Sequence, residues 1–353
     1  MLLAVAFGLI LAGAELFTDG VEWLGRRLGM SDGATGSILA AFGTAMPETL
    51  IPVVAILFTN TPDSRDIGVG AILGAPFMLG TLVMLLIGIT AFALRERRGG
   101  AFLRVDVAHA SRDLGFFLVL YSLAVGLALL PPDLHFLKGF VGWVFLPAYG
   151  LYLVLVLRTP SPPTASDIEE TLEVEEAFED LTFANWLARL GLAVRPTAPP
   201  LWLIVTQTLL SFAGIVLGAK LFASFVDTAS RAMGLDALLV ALILAPLATE
   251  LPEAANSLIW TRQGKDVIAL GNVAGAMVLQ SSVPITLGVL LTPWELGPYG
   301  TVAALFALAS ALVIWLQLRF RSRDGVLPAS ALMLGGSLYV VFILYVILGT
   351  LRG

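Results

Sequence analysis

The chain has 353 residues, a net charge of −6, 58% hydrophobic residues and only 13% charged ones, with a mean hydropathy of +0.91. That balance excludes an ordinary soluble domain, points to the lipid bilayer rather than to nucleic acid, and leaves a polytopic helical membrane protein. No cysteine and only two histidines, His109 and His135, are present. Thiolate metal sites and disulfides are thereby excluded, and oxygen ligands suited to hard cations such as Ca²⁺, Mg²⁺, Na⁺ or H⁺ remain.

In chain order, Met1 to Ala14 is apolar without a basic leader region, and reads as a first retained span rather than a removed signal. Apolar runs of about 20 residues, enough to cross a bilayer, then predict ten transmembrane helices in an all-α fold. The first five cover residues 2–24, 33–59, 67–94, 114–131 and 138–157, and the second five cover 201–225, 236–260, 267–292, 299–318 and 328–350. Three regions follow: a first membrane repeat over 1–157, an acidic linker over 158–200, and a second membrane repeat over 201–353. The linker carries eight acids between Asp167 and Asp180, with apolar residues from Ile168 to Leu190 spaced loosely like an amphipathic helix. It reads as a solvated or surface-lying helix, or as a regulatory cation sensor, although no EF-hand pattern is visible. The loops after spans 1, 3, 5, 7 and 9 hold 15 of the 20 Lys and Arg residues. By the positive-inside rule both termini face outward and the linker is cytoplasmic, in a protein expected in the cell inner membrane.

The two halves repeat. At an offset of 205, Gly13-Ala14 matches Gly218-Ala219, Leu16-Phe17 matches Leu221-Phe222, Thr44 matches Thr249, and Pro47-Glu48 matches Pro252-Glu253. At an offset of 201, Gly70, Gly74 and Ala75 match Gly271, Gly275 and Ala276. An odd number of spans per half makes these inverted repeats, an architecture of secondary transporters. Each Pro-Glu stretch puts a helix breaker and a carboxylate into a lipid-compatible segment. The proline frees backbone carbonyls, and the acid must face a cavity, a partner or an ion. Two such stretches predict a cation site at the membrane midplane, with broken helices on either side.

Spans 2 and 7, with Gly13-Ala14-Glu15-Leu16-Phe17 before the first, resemble the calcium/cation antiporter superfamily, in a divergent prokaryotic-type form of the sodium/calcium exchanger family. Its repeats carry Gly-Thr-Ser-x-Pro-Glu, followed on the next span by Gly-Asn-x-x-Gly-Ser-Asn. The resemblance implies ten helices and exchange of Ca²⁺ for Na⁺ or H⁺, with no enzymatic activity and no resident cofactor. It also implies Glu48 and Glu253 as central cation ligands, Thr44 and Thr249 as flanking oxygens, and Asn272 and Gln280 at the amide positions of the second repeat.

The departures are as informative. Family hydroxyl positions read Ala45, Ala75 and Ala276, the hydroxyl of the second motif is Glu250, and the first-repeat asparagines read Ala71 and Leu79. Fewer weak oxygen ligands, and a third acid three residues before Glu253, favour H⁺ over Na⁺ as counter-ion, because like charges in low dielectric resist joint ionisation. Glu250 either joins the site or faces a structural partner, and Asn272 and Gln280 either ligate or tie helices together. Other readings are a monovalent cation/proton exchanger and a non-transporting homologue with a degenerate site. Gly68, Gly70, Gly74, Gly80, Gly271 and Gly275 fit close helix packing around the site, whereas Gln207 and Asp227 have no assignment.

Overall fold

The structure is a computed structural model that describes residues 1–27, 46–59, 61–158, 181–182, 199–322 and 324–352. Thr44, Ala45 and the expected amphipathic helix of the linker lie outside these residues. Runs of Leu, Val, Ile and Ala form helices because a chain in lipid must satisfy its backbone internally.

Eight helices among the described residues are long and apolar enough to span a membrane, and a ninth span is a pair bent by 55° between Thr249 and Leu251. The expected second segment is described only from Met46, as a shorter apolar helix. The expected tenth span rests on this segment, whose first part lies outside the described residues.

In the first half, α1 is Leu2–Arg27, α2 Met46–Phe58, α3 Ser64–Met78, α4 Met84–Ala93, α5 Val107–Ala128 and α6 Phe145–Arg158. In the second, α7 is Leu201–Met233, α8 Ala237–Thr249, α9 Leu251–Gln263, α10 Asp266–Gln280, α11 Val283–Leu291 and α12 Gly297–Phe320. Two further helices, α13 (Ala329–Gly336) and α14 (Leu338–Arg352), close the chain.

Small residues set the packing. A Cβ on Gly13 would stand 2.8 Å from Ile215 Cγ1, and a Cβ on Gly218 would stand 2.9 Å from Ile10 Cγ1. Both glycines and both isoleucines are related by the 205 offset, so α1 and α7 exchange the same contact. Gln207, unassigned from sequence, strengthens this pair by donating to the Leu16 carbonyl at 3.0 Å and to Asp19 Oδ2 at 2.8 Å. Asp227 pairs with Arg231 one turn further on, at 2.9 Å.

The glycines of α3 and α10 do not behave alike. A Cβ on Gly70 or Gly74 would run into the Leu238 or Leu242 carbonyl of α8. Among the described residues, nothing lies within 4 Å of such an atom on Gly271, and only the Tyr152 hydroxyl, at 3.9 Å, approaches one on Gly275. Close packing explains the first pair and not the second.

Helical irregularities fall at related positions of the two halves. Pro76 cannot donate to the Ile72 carbonyl, and a π-helical turn, Leu79–Val83, joins α3 to α4. Thr81 donates to the Phe77 carbonyl, and Ser310 of α12 donates to the Gly80 carbonyl at 2.5 Å. At the 201 offset Leu79, Gly80 and Thr81 correspond to Gln280, Ser281 and Ser282, where α10 gives way to α11.

The end that carries the basic loops is fastened separately. Strand β1 (Phe102–Arg104) pairs antiparallel with β2 (Val326–Pro328), joining the loop after α4 to the loop after α12. Arg98 pairs with the buried Asp266 and donates to the Thr261 carbonyl at 2.6 Å, linking the end of α9 to the start of α10. At the opposite end Lys138 Nζ donates to the Pro293 carbonyl at 2.7 Å, beside the fully buried Trp294.

Candidate cation site

The second Pro-Glu stretch is built around a broken helix. Pro246 lies inside α8, and Pro252 at the start of α9 has no N–H to offer the Ala248 carbonyl. Glu250, at φ −95° and ψ −3°, stands between the two helices, its side chain capping no amide of α9 and its own amide closing α8 on the Pro246 carbonyl at 2.8 Å. In the first stretch Pro47 opens α2 and Pro52 lies within it, so the Glu48 carbonyl lacks its usual helical donor.

These two interruptions bring three acids together. Glu48, Glu250 and Glu253 each offer a carboxylate oxygen within 4.8 Å of the others. Glu48 is 8% exposed and Glu250 is fully buried. At such separations in low dielectric the mutual repulsion amounts to several kcal/mol, about 4 at an effective dielectric constant near 20. The cluster therefore needs cations or protons to balance it.

The three carboxylates are satisfied unequally. Glu250 Oε1 accepts from the Thr249 hydroxyl at 2.9 Å, and its Oε2 accepts from Gln280 Nε2 at 2.9 Å. Among the described residues, no donor reaches the buried Glu48 Oε2, Glu253 Oε2 or Gln280 Oε1. Leaving a buried acceptor bare costs about 1–3 kcal/mol each, which a bound cation would offset. Asn272 spends its amide donor on tying α10 to α9, through the Glu253 carbonyl at 3.3 Å and Ser257 Oγ at 3.1 Å.

A cavity of about 260 Å³ opens onto this cluster, lined by Glu48, Glu253, Asn272 and Gln280 on one side and by Tyr149 and Tyr152 of α6 on the other. That volume holds an ion with several waters and falls just short of the roughly 300 Å³ at which pockets for drug-sized molecules begin. The tyrosines and Ser257 were not singled out from sequence. Nothing in span 5 marks them, because the cleft between α6 and α10 is a tertiary feature. Of the expected site residues, Glu48, Glu250, Glu253, Thr249, Gln280 and Asn272 converge here, and Thr44 lies outside the described residues.

The model of the family described as sodium/calcium exchanger protein matches residues 1–158 and 203–351. The chain belongs to the sodium/calcium exchanger family. The two matched stretches flank the acidic linker and each contains one Pro-Glu stretch. Among its relatives, inner membrane protein YrbG of Escherichia coli (strain K12) is 24% identical over 321 residues, covering 89% of this chain and 88% of YrbG. Putative antiporter CaxA of Alkalimonas amylolytica is 26% identical over 300 residues, covering 83% and 82%. The fold is that of solved exchangers. The H⁺/Ca²⁺ exchanger CAX matches with a TM-score of 0.64 at 17% identity, over 97% of this chain and 80% of CAX. The sodium-calcium exchanger NCX_Mj matches with a TM-score of 0.51 at 17% identity, over 98% and 97%. The chain is thus an integral membrane protein of a transporter family and not an enzyme.

Proposed function

We propose that this protein is a secondary antiporter that exchanges Ca²⁺, or a cation of similar hardness, for H⁺ or Na⁺ by alternating access. Glu48 and Glu253 are its central ligands, Glu250, Thr249 and Gln280 form a supporting polar shell, and Thr44 supplies a flanking oxygen. The observation that carries the reading is the trio of buried oxygens on Glu48, Glu253 and Gln280 that no donor among the described residues reaches, on side chains that line one cavity beside the broken span α8–α9. Hard oxygen donors of this kind suit Ca²⁺. A buried, closely gathered acid trio also argues against a degenerate site, since it costs stability that only a ligand repays.

Among counter-ions the structure favours H⁺. Ala71, Ala75 and Leu79, where the family carries amides and a hydroxyl, are buried and offer no side-chain oxygen. A monovalent cation/proton exchanger is the second reading, supported by that same shortage of ligands. We assign two inverted membrane repeats, 1–157 and 201–353, with both termini outside and the 158–200 linker and basic loops cytoplasmic.

The test is flux in proteoliposomes with imposed pH, Na⁺ and Ca²⁺ gradients. Glu48→Gln and Glu253→Gln should each abolish Ca²⁺ exchange, and full exchange by either variant would sink the assignment. Ca²⁺-independent exchange of Na⁺ or K⁺ for H⁺ would select the second reading.

A further inference from the structure

We propose that Tyr152, Asp113 and His109 form a proton relay between the cation cavity and the face that carries the basic loops. The inference rests on H⁺ being the counter-ion, as argued above, and adds the route the proton takes.

The relay starts in the cavity wall. Tyr152 of α6 lines the same cavity as Glu48 and Glu253, is itself buried, and directs its hydroxyl toward Gly275 of α10. The Asp113 carboxylate of α5 lies in the neighbourhood of that hydroxyl, on a stretch whose Arg112 and Phe116 both reach the Tyr152 ring. Asp113, the seventh residue of α5, is buried near the end of its span, where a carboxylate is costly and asks for a role. One helical turn back along the same face stands His109, close enough to interact electrostatically with Asp113. Its Nδ1 is 2.7 Å from Asp106 Oδ2, just before the first turn of α5. Side-chain exposure falls steadily along this line, from 36% at Asp106 through 24% at His109 to 8% at Asp113. The string therefore runs from wet to dry and ends at the cation cavity.

The surroundings of Asp113 are mixed. Arg112 Nε donates to Asp113 Oδ1 at 3.0 Å, and its guanidinium lies 5.8 Å from the centre of the Tyr152 ring. His109 and Tyr152 are the other titratable groups acting on Asp113. Tyr149 stacks on Tyr152 at 6.0 Å, and Phe116 meets it edge-on. From α12, Trp315 donates to the Ser111 carbonyl at 3.0 Å. Arg112 fixes the Asp113 carboxylate, and Asp106 fixes the imidazole ring, so both relay groups have defined positions.

The proton balance is simple. A proton from the cavity water joins the Tyr152 oxygen as the tyrosine's own hydroxyl proton passes to Asp113. The resulting carboxylic acid gives its proton to neutral His109, and the imidazolium releases it to cytoplasmic water. Every group returns to its starting state, and one proton has moved.

The experiment compares two exchange modes of the full chain in proteoliposomes. Ca²⁺ uptake driven by a pH gradient needs the relay, whereas exchange of labelled Ca²⁺ for Ca²⁺ does not. His109→Gln and Asp113→Asn should slow pH-driven uptake by about tenfold or more, the usual effect of losing a proton-transfer group. Their Ca²⁺/Ca²⁺ exchange and their Ca²⁺ affinity by calorimetry should stay at the wild-type level. Tyr152→Phe, which removes one hydroxyl, should show the same loss of pH-driven uptake. Added imidazole should restore His109→Ala. Should Asp113→Asn fail to fold, His109→Gln at the wetter end carries the test. Unchanged pH-driven uptake in the three variants overturns the relay alone. Parallel loss of both exchange modes also overturns it, and makes these residues a structural tie. Wild-type protein that answers a Na⁺ gradient and ignores a pH gradient overturns the H⁺ reading and the relay together.

Discussion

Glu48 and Glu250 meet in one cluster but are held in opposite ways. Glu48 arrives on a helix that Pro47 opens and that holds Pro52 within it, and no donor among the described residues reaches its buried Oε2. Glu250 sits at the break between α8 and α9, with a donor on each oxygen. A buried carboxylate with one undonated oxygen is poised for a ligand, whereas a fully donated one is already part of the scaffold. The site is therefore lopsided, with the first stretch offering an open ligand and the second offering both an open ligand, Glu253, and its brace.

The largest expected effect exploits that difference. Glu48→Gln should stop Ca²⁺ flux, whereas Glu250→Gln should leave measurable flux at a weakened affinity. Because the new amide turns an NH₂ toward the Thr249 or Gln280 donor, Glu250→Gln should also cost about 1–3 kcal/mol of stability. Thermal unfolding in detergent and flux in vesicles measure the two effects. Equal loss of flux in both variants would erase the distinction between ligand and brace.

A second comparison concerns packing. Gly74→Ala should destabilise the protein by about 1–3 kcal/mol, as overpacking does, because its methyl group meets the Leu242 carbonyl and lies 2.7 Å from Pro246 Cγ. Gly275→Ala, whose methyl meets only the Tyr152 hydroxyl among the described residues, should unfold within a degree or two of wild type. A matching drop in melting temperature would show that the two positions are packed alike after all.

The smallest effect lies outside the membrane. Burial pushes the Asp106 carboxyl up, but the His109 amide, the His109 ring and the Ala108 amide outweigh it and hold it below the usual carboxylate range. A depressed value means that the capping contribution is complete above the ordinary aspartate pKa and is lost as pH falls through the folded one. Asp106→Ala should cost about 1 kcal/mol at neutral pH, and the gap to wild type should close in acid. A gap independent of pH would deny the carboxylate its capping role.

Much of this was legible in the sequence. Hydropathy located the apolar segments because lipid leaves the backbone no alternative to helix. The Pro-Glu pairs pointed to the cluster because proline and a buried acid have few tolerable settings in a membrane. Glu250 was visible as a departure, and its role as an accepted, braced carboxylate was not, since that depends on where Gln280 reaches. Tyr152 and Asp113 escaped notice, and His109 stood out only as one of two histidines, because residues of α5 and α6 meet the site only through tertiary packing. The Arg98–Asp266 tie is of the same kind, spanning 168 positions in the chain. Gly271 and Gly275 were misjudged because composition reports a small side chain and says nothing of what lies opposite.

The π-helical turn at Leu79–Val83 carries a consequence for how this chain tolerates change in length. A π-turn holds one residue more than the α-helical turn it interrupts. Losing a residue elsewhere in α3 or α4 would rotate every later side chain by about 100° and turn buried faces outward. Losing one between Leu79 and Val83 would instead convert the wide turn into an ordinary one, with α3 and α4 left in phase. This stretch is the place in the span where a deletion is a local event.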